Sequence, residues 1–220
     1  MMVTAHSGSD GTPENSLVFL EEMLDGKAAC VEVDVRRAES NVLYLSHDAQ
    51  ENIDGLVTLE EAFERMAWDE ECWINCDLKE GHLEQPVFDL AKKYGIWDRL
   101  ILSGSVYISQ LRTVRERGKV FYNPENLIPN MSSTFTKRNL DELLAFCKKN
   151  AIQTLNVNHH FAEEWVIDHC RQEGIGLSVW TVNDLNRIDW FKSQGVRNVT
   201  TRRAKVYQER EQMKEEVRNA

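Results

Sequence analysis

Short apolar runs alternate along the chain with longer stretches whose apolar residues recur every three or four positions. The runs are 2–6 (MVTAH), 29–35 (ACVEVDV), 41–47 (NVLYLSH), 72–79 (CWINCDLK), 99–104 (RLILSG), 119–123 (KVFYN), 152–158 (IQTLNVN), 176–182 (GLSVWTV) and 196–201 (VRNVTT). They are short and bounded by turn residues, and they read as strands. The stretches 15–26, 58–68, 83–95, 106–118, 139–150, 162–174 and 184–195 have the period of amphipathic helices. In 139–150, for example, Leu140, Leu143, Leu144 and Cys147 share one face. Gly26, Gly95, Gly118, Gly174 and Gly195 stand at or just after the helix ends, as C-caps do.

Strands that alternate with helices predict a parallel sheet covered by helices. About eight such units predict a single-domain α/β fold, the (β/α)8 TIM barrel. The run 41–47 follows 29–35 too closely for a crossover, so one extra or extended strand is expected there. An open doubly wound sheet fits less well, because no glycine-rich phosphate loop follows the first run. The expected division is a barrel over 1–203 and a charged, solvated C-terminal helix or tail over 204–220.

A length of 220 residues suits one sizeable core. The net charge of −10 argues against nucleic acid or an anionic membrane as partner. It leaves a small phosphate substrate open, because a bound cation reverses the local sign. No run reaches the roughly 18 apolar residues of a membrane span, and no signal peptide is expected before His6. Cys30, Cys72, Cys76, Cys147 and Cys170 have scattered spacings and read as reduced thiols of a cytoplasmic protein. Cys72 and Cys76 lie in a strand-like run, which disfavours a zinc site.

The chemistry-bearing residues cluster at the ends of the early runs. Glu32 and Asp34 are two apart on one strand and point the same way. Inside a barrel, two unpaired carboxylates would repel each other and cost several kcal/mol in desolvation, and a cation removes that conflict. Asp77 and Lys79 repeat the spacing on the next unit, where Asp77 is a natural third ligand and Lys79 can hold a carboxylate or a phosphate oxygen. His6 and His47 each end a run, where polar residues of a barrel read as catalytic. Two histidines flanking three carboxylates suit metal-assisted phosphoryl chemistry. His159 and His160 also close a run and are placed at the same rim, without an assigned role. His82 and His169 read as bystanders, and Trp180 as an apolar wall.

These residues resemble a known family. His6, Ser7 and Gly8, followed by Pro13, Glu14, Asn15 and Ser16, are similar to the H-R-G…P-E-N-T opening of glycerophosphodiester phosphodiesterases. Glu32 to Val35 resembles its E-x-D-V motif, His47 and Asp48 its H-D, and Asn75 to Lys79 its N-x-E-x-K. Val179 to Asn183 resembles its V-W-T-V-N, and 195–201 echoes its G-V-D-G-I-I-T-D. The resemblance implies a (β/α)8 barrel and one divalent cation, Ca or Mg, on Glu32, Asp34 and Asp77. It implies hydrolysis of a small glycerophosphodiester to glycerol 3-phosphate and an alcohol through a cyclic phosphate. His6 and His47 would share the acid and base roles, and Ser7, Glu14, Lys79 and Trp180 would meet the substrate.

Three departures from the pattern matter. Ser7 stands where the family has arginine, so a bidentate phosphate contact is missing, and Arg36 is one possible replacement. Asp77 replaces glutamate and is shorter by about 1.5 Å. About ten residues separate Asp48 from Leu59, so the lid that many relatives insert there is absent or vestigial, and the pocket should be open. Two alternatives stay open: a phospholipase D-type barrel acting on lysophospholipids through a cyclic phosphate, and a phosphate- or metal-binding barrel that has lost turnover.

Overall fold

The computed structural model describes residues 1–128 and 135–219. The strands are β1 (Met2–Ala5), β2 (Cys30–Arg37), β3 (Leu43–Leu45), β4 (Trp73–Leu78), β5 (Leu100–Gly104), β6 (Phe121–Tyr122), β7 (Thr154–Asn158), β8 (Gly176–Trp180) and β9 (Asn198–Thr201). The helices are α1 (Leu17–Asp25), α2 (Leu59–Met66), α3 (Glu84–Lys93), α4 (Val114–Arg117), α5 (Lys137–Lys149), α6 (Glu164–Gln172), α7 (Leu185–Ser193) and α8 (Ala204–Asn219). The parallel order is β5-β4-β2-β1-β9-β8-β7-β6. Leu102 N donates to Lys119 O (3.0 Å), and Leu102 bridges Val120 in parallel, which closes the circle between β5 and the start of β6. The chain is therefore a (β/α)8 TIM barrel, as the alternation predicts. β3 is the expected extra strand, and it pairs antiparallel with the end of β2 (Val35↔Leu45).

The period of two along the strands sorts side chains into two environments. Val31, Val33 and Val35 face outward and are fully buried under the helices, while Glu32 and Asp34 are buried on the opposite, inner side. The helices contribute the matching faces, and Leu140, Leu143, Leu144 and Cys147 are the buried residues of α5. Inside the barrel the floor is a small apolar plug of Cys30, Ile101 and Phe121 with Met2 against it. Above it the interior is polar and hydrogen-bonded. Thr4 donates to Asn198, Asn198 to Ser178, Ser178 to Asn156 and Asn156 to Asn123, over 2.8–3.1 Å.

One element departs from expectation. The stretch 106–118, read as a full helix, forms a short 3-10 turn at Ile108–Gln110 and only one helical turn in α4. Thr113 and Glu116 form a capping box that starts a new helix late in the stretch, and Gly118 ends it. Within 204–220, α8 begins on a side-chain cap: Asp10 accepts from Lys205 N (3.0 Å) and Val206 N (3.3 Å). Ala204 and Tyr207 are buried, and Asp189 of α7 accepts from the Tyr207 hydroxyl (3.1 Å) and Lys214 Nζ (2.9 Å). No described helix is long and apolar enough to cross a membrane.

Candidate active site

A cleft of about 300 Å³ opens at the C-terminal ends of the barrel strands. Its lining includes His6, Glu32, His47, Asp77, Lys79 and Trp180. Glu32 and Asp34 come from β2 and Asp77 from β4, and the parallel register sets Asp34 beside Asp77. One oxygen from each of these three carboxylates lies within 4.8 Å of the other two.

The cluster is held from several sides. Ser7 N donates to Glu32 Oε2 (3.0 Å). Asn15 clamps Asp34 twice: its Nδ2 donates to Asp34 Oδ2 (2.8 Å), and its Oδ1 accepts from Asp34 N (3.0 Å). Ser103 Oγ donates to Asp77 Oδ1 (2.6 Å) and accepts from Asn75 Nδ2 (3.0 Å). Gly104, at φ 75°, lets β5 approach this close, since a Cβ there would sit 2.4 Å from Leu78 O and 2.9 Å from Asp77 Oδ1. Lys79 Nζ bridges Asp34 Oδ1 (2.7 Å) and Asp77 Oδ2 (2.6 Å).

The electrostatics follow from this packing. Burial, reinforced by the Asp34 and Asp77 charges, raises the pKa of Glu32 well above the usual carboxylate range. Burial also acts against the charged form of Asp34, but Lys79 and the Asn15 amide outweigh it and hold Asp34 below that range. Burial disfavours the Lys79 ammonium too, and Asp77 and Asp34 more than reverse this, so its pKa rises. The donor set fits a hard divalent cation: all ligand atoms are carboxylate oxygens, and 4.8 Å is within the span of two oxygens bound at about 2.3–2.6 Å on opposite sides of calcium. Lys79 supplies the positive charge that such a cation would supply in greater measure.

His6 follows β1, and burial lowers its pKa, with the Ser7 carbonyl acting the other way. Its Nδ1 lies 2.9 Å from Ser7 O and 3.7 Å from Glu32 Oε2. A carbonyl only accepts, so Nδ1 carries the proton and the neutral ring keeps a lone pair on Nε2. His47 follows β3 on a short, open connection and is 66% exposed. Its Nδ1 sits 2.9 Å from Asp48 Oδ1. Its carbonyl accepts from Arg36 Nε (3.0 Å) and Nη2 (2.8 Å), which anchors the loop and commits Arg36 away from the cleft.

Other residues singled out from sequence stand differently. Ser7 is fully buried, its Oγ accepts from Asn15 N (2.6 Å), and it is not among the residues lining the cleft. Glu14 is half exposed and accepts from Arg202 Nη1 (2.6 Å). Trp180 lines the cleft with a buried Nε1–H that has no partner among the described residues, as does Asn75 Oδ1. His159 and His160 line a neighbouring depression with Arg187. His82 stacks on Tyr107, and His169 pairs with Asp141 (2.6 Å). All five cysteines are buried and unpaired, and burial pushes the thiols of Cys72, Cys147 and Cys170 up to about 12.

The sequence reading missed Asn75, Ser103, Asn123, Asn156, Thr200 and Arg202 as lining residues. A signal was present in the strands: Asn75, Ser103 and Asn156 stand between apolar residues or glycine, as Glu32 and Asp77 do.

No family model and no curated protein matches the chain. Solved structures do. A glycerophosphodiester phosphodiesterase from Thermotoga maritima is 21% identical, with a TM-score of 0.71 over 95% of this chain and 97% of that one. One from Parabacteroides distasonis is 18% identical, with a TM-score of 0.71 over 94% and 95%. A phosphodiesterase from Oleispira antarctica, solved with its product sn-glycerol-3-phosphate, is 18% identical, with a TM-score of 0.72 over 95% and 96%. The chain thus has, over nearly its whole length, the TIM-barrel fold of the glycerophosphodiester phosphodiesterases.

Proposed function

We propose that this chain is a metal-dependent glycerophosphodiester phosphodiesterase, with residues 1–203 as the catalytic barrel. The observation that carries this reading is the convergence of Glu32, Asp34 and Asp77 at a cleft in the barrel mouth that His6 and His47 also line. Glu32, Asp34 and Asp77 would hold the divalent cation, calcium or magnesium. When bound, the cation supplies Lewis acidity toward the phosphate oxygens. Lys79, displaced from two carboxylates, turns its ammonium to a phosphate oxygen.

His6 is the base. Its burial keeps the ring neutral near pH 7, and its Nε2 lone pair accepts the proton of the glycerol 2-hydroxyl. That oxygen attacks phosphorus, the bond to the alcohol breaks, and His47 donates the proton the alcohol needs. Asp48 Oδ1, 2.9 Å from His47 Nδ1, orients the ring for that transfer. Water then opens the cyclic phosphate with the two roles reversed. Trp180 walls the substrate, and its Nε1–H gains an acceptor there. The unpaired thiols suit a reducing compartment, and we assign the chain to the cytoplasm.

The test is release of glycerol 3-phosphate from glycerophosphocholine and glycerophosphoethanolamine. The protein is assayed after chelation and again after Ca²⁺ or Mg²⁺ is restored, with His6→Ala as control. Metal-restored release that the control lacks is expected. No release with either cation, from a protein that binds metal, overturns the activity; release from a lysophospholipid instead reassigns the substrate.

A further inference from the structure

The cleft has a second cationic side chain besides Lys79: Arg202, just beyond the strand that neighbours β1. β9 pairs with β1 in the register Ala5↔Thr201, and His6 N donates to Thr201 O (2.8 Å). Ser7 and Arg202, the residues just beyond, therefore stand side by side at the mouth of the barrel. Arg202 Nη1 donates to Ser7 O (3.1 Å) and to Glu14 Oε1 (2.6 Å), which occupies both of its protons. The three remaining guanidinium protons, one on Nε and two on Nη2, meet no acceptor among the described residues. Arg202 lines the same cleft as His6, Asp77 and Lys79 and keeps 39% of its side chain exposed. Gly8 leaves room for this arrangement, since a Cβ there would lie 2.6 Å from Glu14 Cγ and 3.3 Å from Arg202 Nη1.

Relative to the patterns this sequence resembles, the position after His6 lacks a positive charge and the position after Thr201 carries one. After His6 the pattern has arginine and this chain has Ser7. After Thr201 the pattern T-D has an acid and this chain has Arg202. The positive charge missing beside β1 is thus present beside β9. Arg36 does not fill the gap, because Nε and Nη2 are spent on His47 O, and Nη1 lies 3.6 Å from Glu80 Oε2.

We propose that Arg202 binds the substrate phosphate from β9, presenting Nε–H and Nη2–H as a two-pronged donor while Ser7 O and Glu14 hold Nη1. This rests on the phosphodiester reading of the cleft and names the residue that replaces the missing arginine. Lys79 then meets the phosphate from β4 as a point charge and Arg202 from β9 as a planar fork.

The experiment measures sn-glycerol 3-phosphate binding by calorimetry, with Ca²⁺ or Mg²⁺ present, and KM and kcat on glycerophosphocholine. Wild type, Arg202→Ala and Arg202→Lys are compared. A charge-assisted bidentate contact predicts roughly 10- to 100-fold weaker binding and higher KM for Arg202→Ala. Arg202→Lys should recover part of the loss, and millimolar guanidinium should restore binding to Arg202→Ala. Binding and KM within twofold of wild type for Arg202→Ala overturn the assignment alone and leave the phosphodiesterase standing. A loss that neither lysine nor guanidinium repairs, with a lowered thermal midpoint, also overturns it, since the residue would then be a support for the β1–β9 junction. A wild type that neither binds sn-glycerol 3-phosphate nor releases it overturns both readings.

Discussion

Replacing Lys79 with methionine tests the electrostatic core of the site without relying on any substrate. Lys79 Nζ sits 2.7 Å from Asp34 Oδ1 and 2.6 Å from Asp77 Oδ2. The side chains of Asp34, Asp77 and Lys79 are 3%, 18% and 19% exposed. Methionine keeps most of the stem and removes the charge, leaving Glu32, Asp34 and Asp77 facing one another without compensation. Breaking a buried ion pair costs about 3–5 kcal/mol. The partial exposure of Lys79 and Asp77 argues for the low end, about 3 kcal/mol. For a chain of this size each kcal/mol moves the thermal midpoint by about 2–4 °C, so Lys79→Met in chelator near pH 7 should melt about 6–12 °C below wild type. The second half of the prediction concerns metal. In wild type a cation must displace the ammonium from two carboxylates, and in Lys79→Met it need not. Titrating Ca²⁺ or Mg²⁺ during differential scanning calorimetry should therefore raise the midpoint of the variant more than that of wild type, narrowing the gap. Equal midpoints in chelator, or equal rises with metal, would refute the account of Lys79 as the resident counter-charge of the metal site.

Three further outcomes follow from the same geometry. Glu32 has a folded-state pKa raised above its unfolded value of about 4.3, so its proton stabilises the fold fully below that value and this contribution is lost as pH rises through the folded pKa. In chelator, Glu32→Gln should therefore be more stable than wild type at about pH 8, with the gap closing toward about pH 5; a pH-independent gap would sink this assignment. Asn15→Ala removes two hydrogen bonds to Asp34, one of them charge-assisted, and should cost about 2–4 kcal/mol in urea unfolding; a cost below about 0.5 kcal/mol would mean the clamp is not structural. His6→Ala and His47→Ala should each lower glycerophosphodiester turnover by about 10²–10⁴-fold while keeping the metal-induced rise in midpoint, and loss of that rise would make them metal ligands instead.

The sequence by itself determined whatever depends on neighbours a few residues apart. A helical or strand period is set by local geometry, so the alternation of runs specified the barrel. The i, i+2 spacing of Glu32 and Asp34, repeated in Asp77 and Lys79, put each pair on one face of its strand whatever the rest of the chain did. Even there local pattern had a limit: the apolar spacing of 106–118 suited a helix, but the Thr113–Glu116 capping box restarts it late and leaves one turn. Tertiary structure decided what closure of the barrel brings together. Ser7 and Arg202 are 195 positions apart and touch because β1 and β9 are neighbours in the closed sheet. The same closure lines up Thr4, Asn198, Ser178, Asn156 and Asn123 as one polar layer, which no single strand reveals. Charge compensation is likewise a property of the assembled cleft. Lys79 neutralises Asp34 as well as Asp77 because parallel register sets β2 against β4. Arg36, which shares the inner-face parity of Glu32 and Asp34, is spent on the His47 carbonyl, because the return of β3 brings that oxygen within its reach.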